Sequence, residues 1–379
     1  MPRGRSPRLV ALECGARFLL LIVVAEFGNQ AFYADVNHYF VSARDLSLTH
    51  LPYRDFLWEF PPLTTIALVL IPALGHSQEY FVLAFVLIFG VGLEYGSLTY
   101  LRCAFPDKTK DITILWTVAV LPLCSFAWFR LDWISVFPTV VALVAIERRK
   151  PATVAIIAGV AAKVWPATLC AIFIARREWR RLGLVIAGIV ALCLLWYLFS
   201  PKGVSDFLEF RRGSGYQIES LPGAALLLAG VDWEFRYGSV IVSTGRYQWV
   251  QAVLNIFTIC GGAAIVSATL FRRAAPVPLV ASLVLVLLIG SRIISPQYLV
   301  WLAPFVALCW TQRREIGYWY IASSMLTLWV VVQYQKLYSS PIWVSIPLMI
   351  RNLILLWMLV LFVQETFASN DASNRISPA

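Results

Sequence analysis

The sequence predicts an all-α integral membrane protein, a single polytopic domain over residues 1–379 with about twelve transmembrane helices. Of the 379 residues, 60% are hydrophobic and only 14% are charged, whereas a soluble globular chain has about 25% charged residues. The apolar residues come in blocks of roughly 15–24, a length that crosses a bilayer core of about 30 Å. This composition excludes a soluble enzyme, a nucleic-acid-binding protein and a disordered chain. The partner it predicts is the lipid bilayer.

The basic residues predict the orientation, because Lys and Arg are enriched in cytoplasmic loops close to helix ends. Two polar segments, 33–77 and 200–248, are then outer loops, and 366–379 is a cytoplasmic tail. The clusters expected inside are Arg3/Arg5/Arg8, Arg102/Lys108/Lys110, Arg148/Arg149/Lys150, Arg176/Arg177/Arg180/Arg181, Arg272/Arg273 and Arg313/Arg314. The predicted crossings are 9–32, 78–101, 112–129, 133–147, 152–162, 164–175, 182–199, 249–271, 277–291, 297–311, 316–335 and 344–365.

Two apolar segments do not fit a simple crossing. Residues 62–75 are too few to cross, so we expect a juxtamembrane or re-entrant helix on the outer face. Segment 152–175 lies between two basic clusters and must enter the membrane and return. Lys163 and Pro166 at its middle predict two short helices, because proline interrupts the helical hydrogen-bond ladder.

The second outer loop combines basic, glycine-containing and apolar pieces. Arg211 and Arg212 are followed by Gly213 and Gly215, a pattern that allows a tight loop to hold an anion. Residues 221–230 predict a short apolar helix that dips toward the membrane. The alternation in 232–247 predicts a small β-hairpin.

The first outer loop carries most of the polar chemistry, including all three histidines, which are His38, His50 and His76. Asp35 directly follows the first predicted helix and lies among aromatic residues. A carboxylate at this membrane boundary is placed to act as a general base. The alternative is a structural role as the N-cap of a helix over 36–46.

The stretch 52–62 mixes aromatic residues with alternating charges, among them Asp55 and Glu59. Sugar rings stack on aromatic faces while their hydroxyls bond to carboxylates, so this composition suits a sugar site. An aromatic belt at the membrane interface has the same composition. The residues alone leave both interpretations open.

Ionisable residues within or beside crossings are costly and usually face the bundle interior or a wet cavity. Arg130 and Asp132 lie in a short outer turn, where a local ion pair is the simpler interpretation. Lys163 and Arg351 suit a phosphate group, for which Lys supplies a point charge and Arg a bidentate fork. Glu94 is expected to be a structural hydrogen-bonding group.

The sequence predicts no cofactor and no metal site. Its seven cysteines form no C-x-x-C pair. No P-loop, G-x-G-x-x-G, H-E-x-x-H or G-x-S-x-G motif is present.

Several short motifs follow one another along nearly the whole chain. They are Asp35 with Tyr39, Pro52-Tyr53-Arg54-Asp55, Glu59-Phe60-Pro61-Pro62-Leu63, Arg130-x-Asp132, Lys163-x-x-Pro166 followed by Arg176-Arg177, Gln217-x-Glu219-Ser220, Ser295-Pro296-Gln297-Tyr298-x-x-Trp301-x-x-Pro304 and Arg351-Asn352. In this order they resemble the GT-C superfamily of integral membrane glycosyltransferases, specifically glycosyltransferase family 87. That family includes actinobacterial polyprenyl-phosphate-mannose-dependent α-(1→2)-mannosyltransferases. Phe60 departs from the pattern, since the family is expected to have a tyrosine there.

The resemblance implies a GT-C-like bundle and an inverting transfer of mannose from polyprenyl phosphate mannose to a hydroxyl of a glycolipid or glycan. The site would face the periplasm or exterior of the cell membrane. It implies that Asp35 is the general base. It also implies nine substrate-binding residues. Lys163, Arg211 and Arg351 would bind the lipid phosphate, and Glu59, Asp132 and Glu219 would orient sugar hydroxyls or hold cations in place. Asp55, Arg130 and Gln297 complete the implied substrate-binding set.

Three alternatives stay open from the sequence. The same family contains arabinofuranosyltransferases that use polyprenyl phosphate arabinose, and the residues do not separate the two sugars. A secondary transporter would use the same buried charges as a substrate or proton path. A non-catalytic membrane scaffold or flippase accessory would tolerate loss of the Asp35 carboxylate.

Overall fold

The protein is a bundle of helices with one small sheet. The computed structural model describes residues 7–27, 30–45, 54–55, 58, 60–71, 77–202, 215–236, 239–243 and 245–374, and the chain is about 80% helical. The helices are α1 Pro7–Phe27, α2 Gln30–Asp45, α3 Pro62–Leu70, α4 Gln78–Ala104, α5 Pro106–Ala127, α6 Asp132–Glu147, α7 Thr153–Ala162, α8 Cys170–Ala175, α9 Trp179–Phe199, α10 Leu221–Leu228, α11 Gln248–Phe271, α12 Pro276–Ile289, α13 Ala303–Cys309, α14 Arg314–Val332 and α15 Ile342–Asn374. Short 3₁₀ turns cover Trp165–Leu169, Pro296–Trp301 and Tyr334–Leu337.

Within these residues, six helical segments are long and apolar enough to cross a membrane. They are Gln78–Ala104, Pro106–Ala127, Trp179–Phe199, Gln248–Phe271, Arg314–Leu337 and Ile342–Ala368. These six apolar helices indicate a multi-pass membrane protein. Helix α1 also has 21 residues, but it carries Arg8, Glu13, Arg17 and Glu26. Because of these charges it is not counted among the six helices that are apolar enough to cross a membrane.

The predicted count of about twelve crossings is not confirmed. Several predicted crossings are helices of 7 to 16 residues in the structure, such as α6, α7 and α13. At a rise of about 1.5 Å per residue, even α6 extends only about 24 Å. Most residues of α6 and all of α13 are buried in the bundle, whereas α7 is buried on one side only.

Helix α12 lies at the centre of the bundle, and its 14 residues are almost all buried. It packs along α15 and α11. Helices α9 and α11 form the periphery, since the buried residues are only Val185 in α9 and Leu254 and Thr269 in α11. An exposed apolar helix in a soluble protein would aggregate, so this distribution of burial fits a lipid surround.

A buried polar network joins α1 to α4 and α5. Arg17 donates to both carboxylate oxygens of Glu94, at 2.7 and 2.5 Å, and Trp116 Nε1 donates to the same carboxylate at 2.6 Å. Arg102 pairs with Glu13 at 2.7 Å. The expected structural role of Glu94 fits this arrangement, in which two membrane-depth carboxylates are each satisfied by an arginine.

The polar segment predicted to be the second outer loop contains the predicted hairpin. Strands β2 (Trp233–Arg236) and β3 (Ser239–Val242) form the antiparallel hairpin predicted for 232–247, and β1 (Tyr216–Gln217) adds to it in the order β1-β3-β2. Gly215 precedes β1 with φ +85°, and a Cβ there would lie 2.6 Å from the Val242 carbonyl oxygen. A side chain at position 215 would therefore break the close approach of the two strands.

Helix α3 is nine residues long, so it extends only about 13 Å, in line with the prediction that 62–75 does not cross. Pro61 and Pro62 begin the helix. Trp58 Nε1 donates to Thr65 Oγ1 at 2.7 Å, and this hydrogen bond holds Trp58, which precedes the helix, against α3. Thr64 of α3 donates to the carbonyl of Ala162 at the end of α7, and this hydrogen bond joins the two helices.

Candidate active site

Asp35 lies inside α2, so it is not the N-cap of a helix over 36–46. Its Oδ2 forms an ion pair with Arg130 Nε at 2.8 Å. The side chain of Asp35 is 40% exposed and that of Arg130 is 15% exposed. One turn along α2, Tyr39 is buried against Phe60 and Phe85. This packing fixes the face of α2 that carries Asp35, so the carboxylate is held in one orientation and is still open to solvent.

Arg130 and Asp132 do not pair with each other, contrary to the local ion pair expected from the sequence. Each pairs instead with a residue from a distant part of the chain, Arg130 with Asp35 and Asp132 with Lys163. Asp132 is the first residue of α6, whereas Arg130 precedes the helix. Asp132 Oδ1 accepts from Lys163 Nζ at 2.6 Å and from Trp301 Nε1 at 2.6 Å. The Asp132 carboxylate is almost fully buried, so these two donors offset the cost of removing it from water.

Lys163 lies where α7 ends, in extended backbone with φ −158° and ψ 150°. Pro166 causes the break, because it has no N–H to bond the carbonyl of Ala162 four residues earlier. That carbonyl accepts instead from Thr64 Oγ1 of α3 at 2.9 Å. The predicted interruption of 152–175 is therefore confirmed, and it holds the lysine beside Asp132 rather than within a helix.

An aromatic stack covers one side of this lysine. Tyr298 and Trp301 stack with ring centroids 4.2 Å apart, and Trp301 stacks on Trp165 at 5.2 Å with planes 11° apart. Tyr298 and Trp301 lie three residues apart on a 3₁₀ turn, in which side chains at i and i+3 eclipse. Lys163 Nζ lies 4.5 Å from the Tyr298 ring centroid and 5.0 Å from that of Trp301.

The side chain of Lys163 remains 25% exposed despite these contacts. An ammonium group has three N–H donors, and Asp132 takes one of them. Because the ring faces accept no conventional hydrogen bond, the ammonium retains donors for an anion that approaches from the exposed side. The aromatic stack also gives this side an apolar wall.

Glu219 and Arg351 form a second cluster. Arg351 is fully buried, and its Nη2 donates to the Glu219 carbonyl and to Asn352 Oδ1. Asn352 donates to the same carbonyl at 3.2 Å. Among the described residues, Glu219 Oε2 and the Nε and Nη1 of Arg351 have no hydrogen-bond partner. Glu219 lies outside the membrane-spanning helices, and burial raises its pKa to about 8.

A continuous segment joins the two clusters. The backbone N–H of Gln217 donates to the Arg292 carbonyl at 3.0 Å, which pairs the edge of β1 with the loop before the 3₁₀ turn Pro296–Trp301. Gln297, the second residue of that turn, is 8% exposed. Trp301 is its last residue and donates to Asp132. Side-chain contacts thus join Asp35 to Arg130 and, separately, Asp132 to Lys163 and the turn. The backbone joins these two groups at residues 130–132, and a backbone hydrogen bond joins the turn's loop to the second cluster.

The structure does not place three of the predicted site residues in this arrangement, and two of them lie outside the described residues. Asp55 pairs with its neighbour Arg54 at 2.8 Å at the surface. Glu59 and Arg211 lie outside the described residues. Sequence reasoning gave no individual role to Trp165, Tyr298 or Trp301. The spacing of Tyr298 and Trp301 after Pro296 is the signal that points to an eclipsed aromatic pair.

Burial of Glu219 makes stability depend on pH. Its pKa of about 8 in the folded protein exceeds the ordinary glutamate value of about 4.3, so the folded state binds the proton more tightly than the unfolded state. The free energy of unfolding should therefore fall as the pH rises from about 5 to 8 and level off above that. We expect Glu219→Gln, which is always neutral, to remove this part of the decline.

Thermal unfolding of the purified protein in detergent between pH 5 and 9 measures the effect. Glu79→Gln is the matched control, because Glu79 is exposed at the start of α4. An unchanged slope in Glu219→Gln would show that the buried carboxyl is ionised in the folded protein.

Comparison with known proteins yields one finding. A sequence model described as glycosyltransferase family 87 matches residues 58–296, which is more than half of the chain. The match contains Arg130, Asp132, Lys163 and Glu219, whereas Asp35 and Arg351 lie beyond its ends. Curated proteins and solved structures give no significant match.

Proposed function

Since the chain belongs to glycosyltransferase family 87, we propose that it transfers mannose from polyprenyl phosphate mannose to a hydroxyl of a cell-envelope glycolipid or glycan. The transfer takes place on the outer face of the cell membrane and inverts the anomeric configuration. The observation that carries the proposal is a pair of neighbouring ion pairs, Asp35–Arg130 with a partly exposed carboxylate and Asp132–Lys163 with a partly exposed lysine. Arg130 and Asp132, one from each pair, are two residues apart in the chain. A base and an anion-binding cation on neighbouring elements are the two groups that this displacement requires.

In the proposed reaction, Asp35 accepts the proton of the acceptor hydroxyl while its oxygen attacks the anomeric carbon of the donor. The bond from that carbon to the phosphate oxygen breaks, and polyprenyl phosphate leaves with the bonding electrons. Because attack comes from the face opposite the phosphate, a β-linked donor gives an α-linked product. Arg130 orients the Asp35 carboxylate, to which it donates at 2.8 Å.

Lys163 binds the phosphate of the donor, whose negative charge grows as the bond breaks. An ammonium group already held by Asp132 and two aromatic rings needs no reorganisation when that charge develops. The face of Tyr298 beside it suits the apolar side of a sugar ring. Arg351 is less suited to direct contact, because it is fully buried, and we assign it the role of positioning Glu219.

The experiment is a transfer assay in proteoliposomes with labelled polyprenyl phosphate mannose or labelled polyprenyl phosphate arabinose, followed by analysis of the extractable glycolipids. We expect a mannosylated lipid that protein-free liposomes do not produce. A product formed only from the arabinose donor would instead identify an arabinofuranosyltransferase. Solute uptake without transfer from either donor would contradict the proposal and favour a transporter.

A further inference from the structure

An apolar groove runs between α6 and α7, away from the site described above. It has a volume of about 430 Å³. Its walls are formed by Phe137, Pro138 and Val141 of α6 and by Val154, Ala155 and Ala158 of α7. The two alanines project too little to fill the space between the helices. The groove is open toward the outside of the bundle, where Val154 is 81% exposed.

One end of the groove lies beside a dense set of cations. Pro151 lines the groove and directly follows Arg149 and Lys150. The guanidinium of Arg181 on α9 donates to the Arg149 carbonyl at 3.4 Å, which brings the basic start of α9 to the same place. We call Arg149 and Lys150 the basic mouth of the groove.

The charges at this end are unbalanced. Both nearby carboxylates are already paired, Glu147 with Arg176 at 3.4 Å and Glu178 with Arg181 at 2.8 Å. The side chains of the basic mouth are exposed and have no hydrogen bond or ion pair with any residue in the described part of the chain. Two cations beside an apolar groove, with no carboxylate left to neutralise them, suit an anion that carries an apolar chain.

We propose that the groove and its basic mouth bind an anionic phospholipid, with an acyl chain between α6 and α7 and the phosphate at Arg149 and Lys150. Basic pockets between transmembrane helices bind anionic head groups in this way. The basic mouth follows the end of α6 opposite Asp132, and the 16 residues of that helix separate the two by about 22 Å. This site is distinct from the proposed donor site, so either can fail without the other.

The test uses the purified full chain in detergent, with phosphatidylglycerol and phosphatidylcholine of identical acyl chains as the probes. Bound lipid is measured by native mass spectrometry and by the shift in thermal unfolding. We expect phosphatidylglycerol to bind more tightly. Ala158→Phe should abolish this preference by filling the groove, and Lys150→Gln should weaken binding about fivefold, the equivalent of about 1 kcal/mol for one cation.

Matched controls separate a defined site from general attraction. Ala191→Phe adds the same bulk to the exposed face of α9, and Arg273→Gln removes one exposed cation from the turn between α11 and α12. Both should retain the preference of the wild-type protein. Equal preference in all variants, or equal loss in Arg273→Gln and Lys150→Gln, would overturn the proposal in favour of non-specific annular lipid. Ala155→Leu replaces Ala158→Phe if the latter does not elute as a folded species.

Discussion

Replacing Asp35 by asparagine is expected to reduce sugar transfer by about 10²–10⁴-fold, the usual contribution of a general base. Asparagine keeps the size of the side chain and still accepts a hydrogen bond from Arg130, now 2.8 Å from the carboxylate, but it cannot take up a proton. Because the side chain is 40% exposed, its loss of charge should leave folding nearly unchanged. Transfer from labelled donor in proteoliposomes measures the rate, and gel filtration of the purified variant checks the fold.

The matched control is Asp55→Asn, since Asp55 is another aspartate that pairs with an arginine, its neighbour Arg54. It should retain nearly all activity. If Asp35→Asn is active while Glu59→Gln is not, the base is misassigned although the chain remains a glycosyltransferase. If neither substitution affects transfer, the base mechanism itself fails.

Local signals account for the parts of the fold that the sequence predicted. The alternation in 232–247 and the proline at 166 act on their immediate neighbours, and the hairpin and the interrupted helix follow from them. Apolar composition likewise predicts the membrane class, because the class depends on how many apolar residues the chain contains and not on how its helices are arranged. The number of crossings depends on arrangement, since a short apolar helix such as α12 can lie wholly inside the protein.

The partners of the charged residues could not be predicted in the same way. Asp132 has Arg130 two positions away, yet it accepts from Lys163 and from Trp301, which are 31 and 169 residues distant. Only the packing of α6, α7 and the Pro296–Trp301 turn brings these groups together. The sequence predicts only a phosphate for Lys163, and its ion pair with Asp132 is evident from the structure alone.

Replacing Lys163 by alanine is expected to lower catalytic efficiency for the donor by about 10²–10³-fold, the cost of removing one preorganised donor to a developing anion. The KM for the acceptor should change little, because the acceptor hydroxyl lies with Asp35 rather than with the phosphate. Initial rates with each substrate varied separately measure the difference. Lys336→Ala, which removes an exposed lysine from the turn after α14, is the control and should have no effect.

A structural role for Lys163 would also reduce activity, because its removal leaves the buried Asp132 carboxylate with Trp301 Nε1 as its one remaining donor. Loss of one member of a buried pair costs about 3–5 kcal/mol of stability. The double variant Lys163→Met with Asp132→Asn separates the two roles, because it removes both charges together. We expect it to recover the thermal stability lost in the single variant but not the use of donor, since the cation that meets the phosphate is still missing. Recovery of donor use along with stability would show that Lys163 acts only by neutralising Asp132.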